Sequence, residues 1–92
     1  MPFLLVYSDT ARNDIEKLDR VVKKRLGKKI ISLQNGPLKV SKKLAGFKEP
    51  VYRFRIGDYR VIFEVKGDRI IILRVGHRST ILYANVYHQF VG

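Results

Sequence analysis

The stretch that decides the fold is VYRFRIGDYRVIFEVKGDRIIILRV, residues 51–75. Aromatic and β-branched side chains recur there at every second position, the period of a strand. The pattern is interrupted twice by the same dipeptide, Gly57-Asp58 and Gly67-Asp68. A two-residue loop with glycine first suits the I′ and II′ turns whose twist matches that of adjacent antiparallel strands. Residues 51–56, 59–65 and 69–75 are therefore predicted to form an antiparallel meander, with Ile56 opposite Tyr59 and Lys66 opposite Arg69.

With the turns fixed, the faces follow. Tyr52, Phe54, Ile56, Tyr59, Val61, Phe63, Val65, Ile70 and Ile72 share the face expected to pack against helices, and Arg74 falls among them against the pattern. Arg53, Arg55, Arg60, Ile62, Glu64, Ile71, Leu73, Val75 and His77 share the other, with Arg55 directly opposite Arg60. Like charges in direct register are unfavourable by the order of the ~0.2–1 kcal/mol that a good cross-strand pair contributes. An anion bound between them relieves the repulsion, and arginine suits phosphate because its planar fork donates in parallel and keeps its proton. A solvated polar face accounts for the same pattern, so register alone leaves both readings open. Ile62, Leu73 and Val75 call for something to cover part of this face, and the C-terminal segment is available.

Working outward, residues 3–7 are a short apolar run that reads as a buried strand, closed by Ser8-Asp9, either of which can cap a helix. Ala11, Ile15, Leu18, Val22, Leu26, Ile30 and Leu33 follow at helical spacing with a charged step at Asp19-Arg20, predicting two helices or one bent helix. Asn35-Gly36-Pro37 ends them, since glycine accepts a left-handed C-cap and proline cannot continue a helix. Residues 38–50 are polar and without period, predicting a surface loop with Leu44 and Phe47 tucked inward. Residues 79–92 carry Leu82, Val86 and Phe90 at helical spacing, predicting a short terminal helix or tail. The expectation is one α+β domain over residues 1–92, in the order β-α-α-β-β-β, with an antiparallel sheet and both helices on one face.

The chain has 92 residues, no cysteine and a net charge of +11. That leaves room for one core and no disulfide staple, and it points to a polyanion or an acidic protein as partner. Residues 23–60 alone contribute twelve basic and two acidic side chains. No apolar stretch approaches the ~20 residues of a membrane span, and the opening residues lack the pattern of a signal peptide, so a cytoplasmic location is expected. No zinc-type cluster, P-loop or dinucleotide motif is present, so neither a metal nor a nucleotide cofactor is expected.

The run Val51-Tyr52-Arg53-Phe54-Arg55-Ile56-Gly57-Asp58-Tyr59-Arg60-Val61-Ile62-Phe63, followed by Val75-Gly76-His77-Arg78 and Tyr83, resembles the RelE/ParE toxin superfamily of toxin–antitoxin systems, and most closely its RelE branch. The basic Lys43-Leu44-Ala45-Gly46 segment and the order of elements extend the resemblance along nearly the whole chain. It implies a metal-independent mRNA endoribonuclease acting in the ribosomal A site, in which a ribose 2′-hydroxyl attacks the adjacent phosphodiester. It further implies that translation is inhibited, that growth arrests, and that an acidic antitoxin neutralises the toxin in a hetero-oligomer. Arg53, Arg55, Arg60 and Arg78 match the family's basic positions and Tyr83 its C-terminal tyrosine.

The chemistry fits these side chains. Negative charge gathers on the pentacoordinate phosphorane, so fixed guanidinium groups stabilise it more than the ground state. Arg60 and Arg78 are the leading candidates, and both are expected outside the core, so that alanine at either leaves the fold intact. The best-known RelE pattern has lysines where this chain has Arg53 and Arg55, and arginine is a poor base. Proton transfer then falls to His77, whose imidazole changes charge near neutral pH, and to Tyr83, which can also stack on a base. Lys23, Lys24, Lys28, Lys29, Lys39, Lys42, Lys43 and Lys48 are expected to grip phosphate backbone without regard to sequence. The alternatives are a ParE-like inhibitor of DNA gyrase and a basic nucleic-acid-binding module without catalysis.

Overall fold

Both Gly-Asp dipeptides form the turns expected of them. Gly57 and Gly67 have φ of +58° and +59° while no other residue type has positive φ among the described residues, the signature of type II′. Ile56 stands opposite Tyr59 and Lys66 opposite Arg69. The computed structural model describes residues 2–39, 41–46 and 50–81. Its elements are β1 (Leu4–Tyr7), α1 (Asp9–Glu16), α2 (Arg20–Ser32) with a 3-10 turn at Leu33–Asn35, β2 (Ser41–Leu44), β3 (Val51–Ile56), β4 (Tyr59–Lys66) and β5 (Arg69–His77).

The α+β class holds, and four details differ from the sequence expectation. The segment expected to be a loop contains β2, paired antiparallel to β3 at the edge of a five-stranded sheet ordered β1-β5-β4-β3-β2. Its Ser-Lys-Lys-Leu sequence hides the strand period because an edge strand needs little burial, and lysines there discourage further pairing. β1 is likewise an edge strand with alternating burial, with Leu4 and Val6 left 55% and 41% exposed, and it pairs parallel to β5, so the sheet is mixed. Gly36 ends the helical region with φ 163°, which is extended backbone and not a left-handed cap.

The fourth difference is a β-bulge. β4 and β5 pair as expected from Lys66↔Arg69 to Phe63↔Ile72; Ile62 then pairs with Arg74, leaving Leu73 unpaired. Beyond that point β5 is displaced by one residue, which sets Val75 opposite Val61, Gly76 opposite Arg60 and His77 opposite Tyr59. Val75 is accordingly in the helix-side core, and the expected placement of Val75 and His77 on the arginine face is corrected. The terminal helix or tail, together with Tyr83, Phe47 and Lys48, lies outside the described residues.

The helices form for local reasons. Ser8 Oγ accepts from Ala11 N at 3.1 Å and Asp19 Oδ1 from Val22 N at 2.9 Å, each capping the helix that follows. The seven helical positions at apolar spacing all reach the core with Phe54, Val61, Phe63, Ile70 and Ile72 of the sheet. Tyr7 joins them, and burial raises its hydroxyl pKa above the ordinary tyrosine value, so the ring packs neutral. A second, smaller cluster on the opposite face unites Val51, Ile62, Leu73 and Ile81. Ile81 is the cover that this face was expected to need.

Because nothing lies within 4 Å of a Cβ built on Gly67, and only Arg25 Nη2 at 3.6 Å near one on Gly57, alanine at either meets no clash. The cost is then conformational alone. Urea denaturation of Gly57→Ala and Gly67→Ala is expected to give similar losses of about 1–3 kcal/mol each, and a loss above about 4 kcal/mol at either would contradict this.

Candidate functional site

Residues in cross-strand register share a face, so the pairings define the face away from the helices. One row runs Leu44, Val51, Glu64 and Ile71, the next Lys42, Arg53 and Ile62, and the last Arg55, Arg60 and Gly76. The face therefore grades from apolar at one end to basic at the other. Lys42 joins the arginines, whereas Lys43 pairs with Tyr52 and belongs to the helix-side row.

The arginines differ in how they are held. Arg60 is only 8% exposed. Its Nη1 donates to the carbonyl oxygens of Gly57 and Tyr59, at 3.0 Å each, so the guanidinium curls onto the II′ turn. Among the described residues no carboxylate pairs with it. Its charge is thus fixed by carbonyl dipoles and not neutralised, an arrangement suited to holding an anion without prior rearrangement. Arg55 directly opposite is exposed, and Arg53, half-buried, has an Nε with no hydrogen-bond partner among the described residues.

Arg78 arrives at the same turn from β5. Its backbone N–H donates to Asp58 O at 2.7 Å, and its exposed guanidinium stands 3.8 Å from the Asp58 carboxylate. An exposed pair at that distance is weak and leaves Arg78 available. Arg25 of α2 reaches the turn as well, with Nη2 close to Gly57. Arg25 was not among the residues the sequence singled out. Nothing local distinguishes it from the neighbouring lysines, because only the packing of α2 brings it to the hairpin tip.

His77 is placed differently from expectation. It stands opposite Tyr59, with the rings edge to face at 5.4 Å and 83°. Ser79 N–H donates to His77 Nδ1 at 3.1 Å, and Ser79 Oγ lies 2.8 Å from the same nitrogen. In the neutral ring the proton then sits on Nε2, and the lone pair that a base would use is occupied at Nδ1. Lys23, Lys24, Lys28 and Lys29 lie exposed along α2, with Lys39 in the turn after it, apart from the arginine row.

Residues 5–82 match the model of the family described as the ParE toxin of the type II toxin–antitoxin system parDE. The chain is 35% identical over 82 residues to Toxin RelE3 of Methanocaldococcus jannaschii, covering 84% of this chain and 92% of that protein. It is 31% identical over 84 residues to Toxin RelG of Mycobacterium tuberculosis, covering 88% and 97%. Among solved structures, it matches a chain of the M. tuberculosis toxin–antitoxin complex RelBE2 with TM-score 0.78 at 28% identity, covering 85% of this chain and 100% of that one. The chain belongs to the RelE/ParE superfamily and is a type II toxin of the RelE kind.

The burial of Arg60 corrects the expectation that it lies clear of the core. Arg60→Ala leaves two turn carbonyls without their donor, and a loss of about 1–3 kcal/mol in urea denaturation is expected. Arg55→Ala, on the exposed side of the same pair, should stay within about 0.5 kcal/mol. Equal losses at both positions would contradict this account of how the pair is held.

Proposed function

We propose that this toxin is a metal-independent mRNA endoribonuclease that cleaves on the ribosome by 2′-hydroxyl attack and so inhibits translation. The observation that carries the reading is Arg60: a guanidinium buried against the carbonyls of a II′ turn, opposite Arg55 and next to Arg78. A stability account alone does not favour three cations converging on one hairpin tip. Phosphodiester cleavage gives them a use, since the dianionic phosphorane carries more charge than the substrate and is stabilised by such cations.

The roles divide by geometry. Arg60 serves as the fixed donor to the phosphorane, while Arg78 and Arg55, exposed to solvent, close on the phosphate from either side. Arg53 and Lys42 extend the cationic path along the neighbouring row. The proton transfers fall to Tyr83 and to His77, the last residue of β5, whose ring stands on the Tyr59 side of the sheet and acts around the strand's end. As acid, His77 acts as the imidazolium, with Nε2–H donating toward the leaving 5′-oxygen and Nδ1–H turned to Ser79 Oγ, 2.8 Å away. The lysines of α2 and Lys39, Lys43 and Lys48 contribute sequence-independent contacts, with ribosomal RNA the natural target for such a surface. Solved relatives include toxin–antitoxin complexes, and a basic face of this kind suits an acidic antitoxin segment that competes with RNA for the arginines.

Primer extension on mRNA after brief expression tests the reading. Codon-phased cuts are expected; their absence would remove the ribonuclease activity, and accumulation of cleaved gyrase–DNA complexes would point to the gyrase target. Arg78→Ala, at an exposed position, is expected to lower single-turnover cleavage by about 10²- to 10³-fold with unchanged urea midpoint. His77→Gln should lower it by about tenfold or more if the imidazole acts as acid, and rates that stay flat from about pH 5 to 8 would exclude that role.

A further inference from the structure

Asp14 belongs to none of the motifs that identify this chain, yet its carboxylate takes three hydrogen bonds at one point on β5. Arg74 Nε donates to Oδ2 at 2.7 Å, Arg74 Nη2 to Oδ1 at 3.1 Å, and the Val75 amide to Oδ2 at 3.0 Å. Both side chains are largely withdrawn from solvent, Arg74 at 19% and Asp14 at 11% exposure. β1 has ended by then, at Tyr7 opposite Ile72, so it offers the following residues of β5 no strand partner. The Asp14 carboxylate stands in for the missing strand and satisfies the Val75 amide. The bulge lies at this same point.

The alternative to the bulge is visible in the pairing. If the register of Phe63 with Ile72 continued unbroken, Arg74 would stand opposite Val61, inside the core, and Val75 opposite Arg60. The bulge moves Arg74 out to Asp14, Val75 into the core and Gly76 opposite Arg60. Gly76 packs tightly there. A Cβ on it would lie 3.0 Å from Ile81 Cδ1 and 3.3 Å from Thr80 Oγ1, so these side chains of the following turn would have to give by a few tenths of an ångström. That turn is closed by Thr80 N and Ile81 N donating to His77 O at 2.9 and 3.1 Å, and it contains Arg78, whose amide bonds Asp58 O.

We propose that Asp14 is a positioning residue: by holding Arg74 and Val75 at the open edge of β5 it selects the bulged register, and that register sets Arg78 beside Arg60 at the hairpin tip. Its consequence for activity rests on the reading of these arginines as the phosphate site, whereas the structural step stands without it. The two are tested separately by following backbone contacts and RNA binding in the same full-length variants.

In isotope-labelled Asp14→Ala, nuclear Overhauser contacts between Arg60 and Gly76 are expected to disappear. Hydrogen exchange of the Arg78 amide should quicken by about tenfold or more. Asp14→Asn keeps an acceptor for the Val75 amide and should retain the Arg60–Gly76 contact. Binding of a short RNA blocked by a single 2′-deoxyribose should weaken in Asp14→Ala about as much as in Arg78→Ala, and the double variant should add little, the non-additivity of residues acting through one another. Losses that add fully would mark Asp14 as a merely structural residue. Asp14→Ala that keeps both the Arg60–Gly76 contact and a protected Arg78 amide would overturn the proposal. If Asp14→Ala does not fold, Arg74→Lys decides by the same contact, expected to be lost or weakened and contradictory if unchanged. Wild-type protein that binds no RNA would sink the phosphate reading while leaving the backbone contacts to decide on Asp14.

Discussion

A single type II′ turn at Gly57-Asp58 governs the arginine-bearing end of this molecule. Its two-residue length sets Arg55 against Arg60 across β3 and β4. Its carbonyls then hold the Arg60 guanidinium, and Asp58 O receives the Arg78 amide. A longer loop would relax the repulsion of the paired arginines and dissolve the cluster at once. The positive φ of Gly57 is therefore a condition for the charge arrangement as much as for the hairpin.

The sheet face opposite the helices has to serve two ends. Toward β1 and the start of β3 it is an apolar cluster of Val51, Ile62 and Leu73 closed by Ile81. Toward the hairpin tip it is cationic. In a chain of 92 residues, every buried group counts toward a marginal stability. A second cluster packs this face beside the arginines, and under the proposed reaction donors held in place would favour the transition state over the substrate. The residues after β5 contribute to both halves, since Ile81 seals the apolar part and Arg78 stands at the basic one.

What the sequence made legible was local. The Gly-Asp turns and the helical spacing from Ala11 to Leu33 follow from neighbouring residues and appear as read; of Ser8 and Asp9 it is Ser8 that caps α1, and the charged step at Asp19 turns out to hold the cap of α2. The arginine row was legible as far as the first hairpin reaches, because its register is fixed by that turn alone. The displacement of Val75 and His77 was not, because the bulge depends on Asp14, 60 residues before its Arg74 partner. Its trace was nonetheless present: Arg74 falling on an otherwise apolar face is the anomaly that a one-residue bulge removes. β2 was missed because an edge strand of Ser-Lys-Lys-Leu carries no apolar alternation, and Arg25 because its approach to the turn is purely tertiary.

The central claim is that the arginine face performs transphosphorylation, with the substrate's own 2′-hydroxyl as nucleophile. The most direct measurement is single-turnover cleavage of ribosome-bound mRNA carrying one 2′-deoxyribose at the scissile position, with the product ends identified by mass spectrometry. The expected result is cleavage of the unmodified message to a 2′,3′-cyclic phosphate and a 5′-hydroxyl, and an intact deoxy-substituted message. Cleavage of the deoxy-substituted message, or ends bearing a 5′-phosphate, would contradict it.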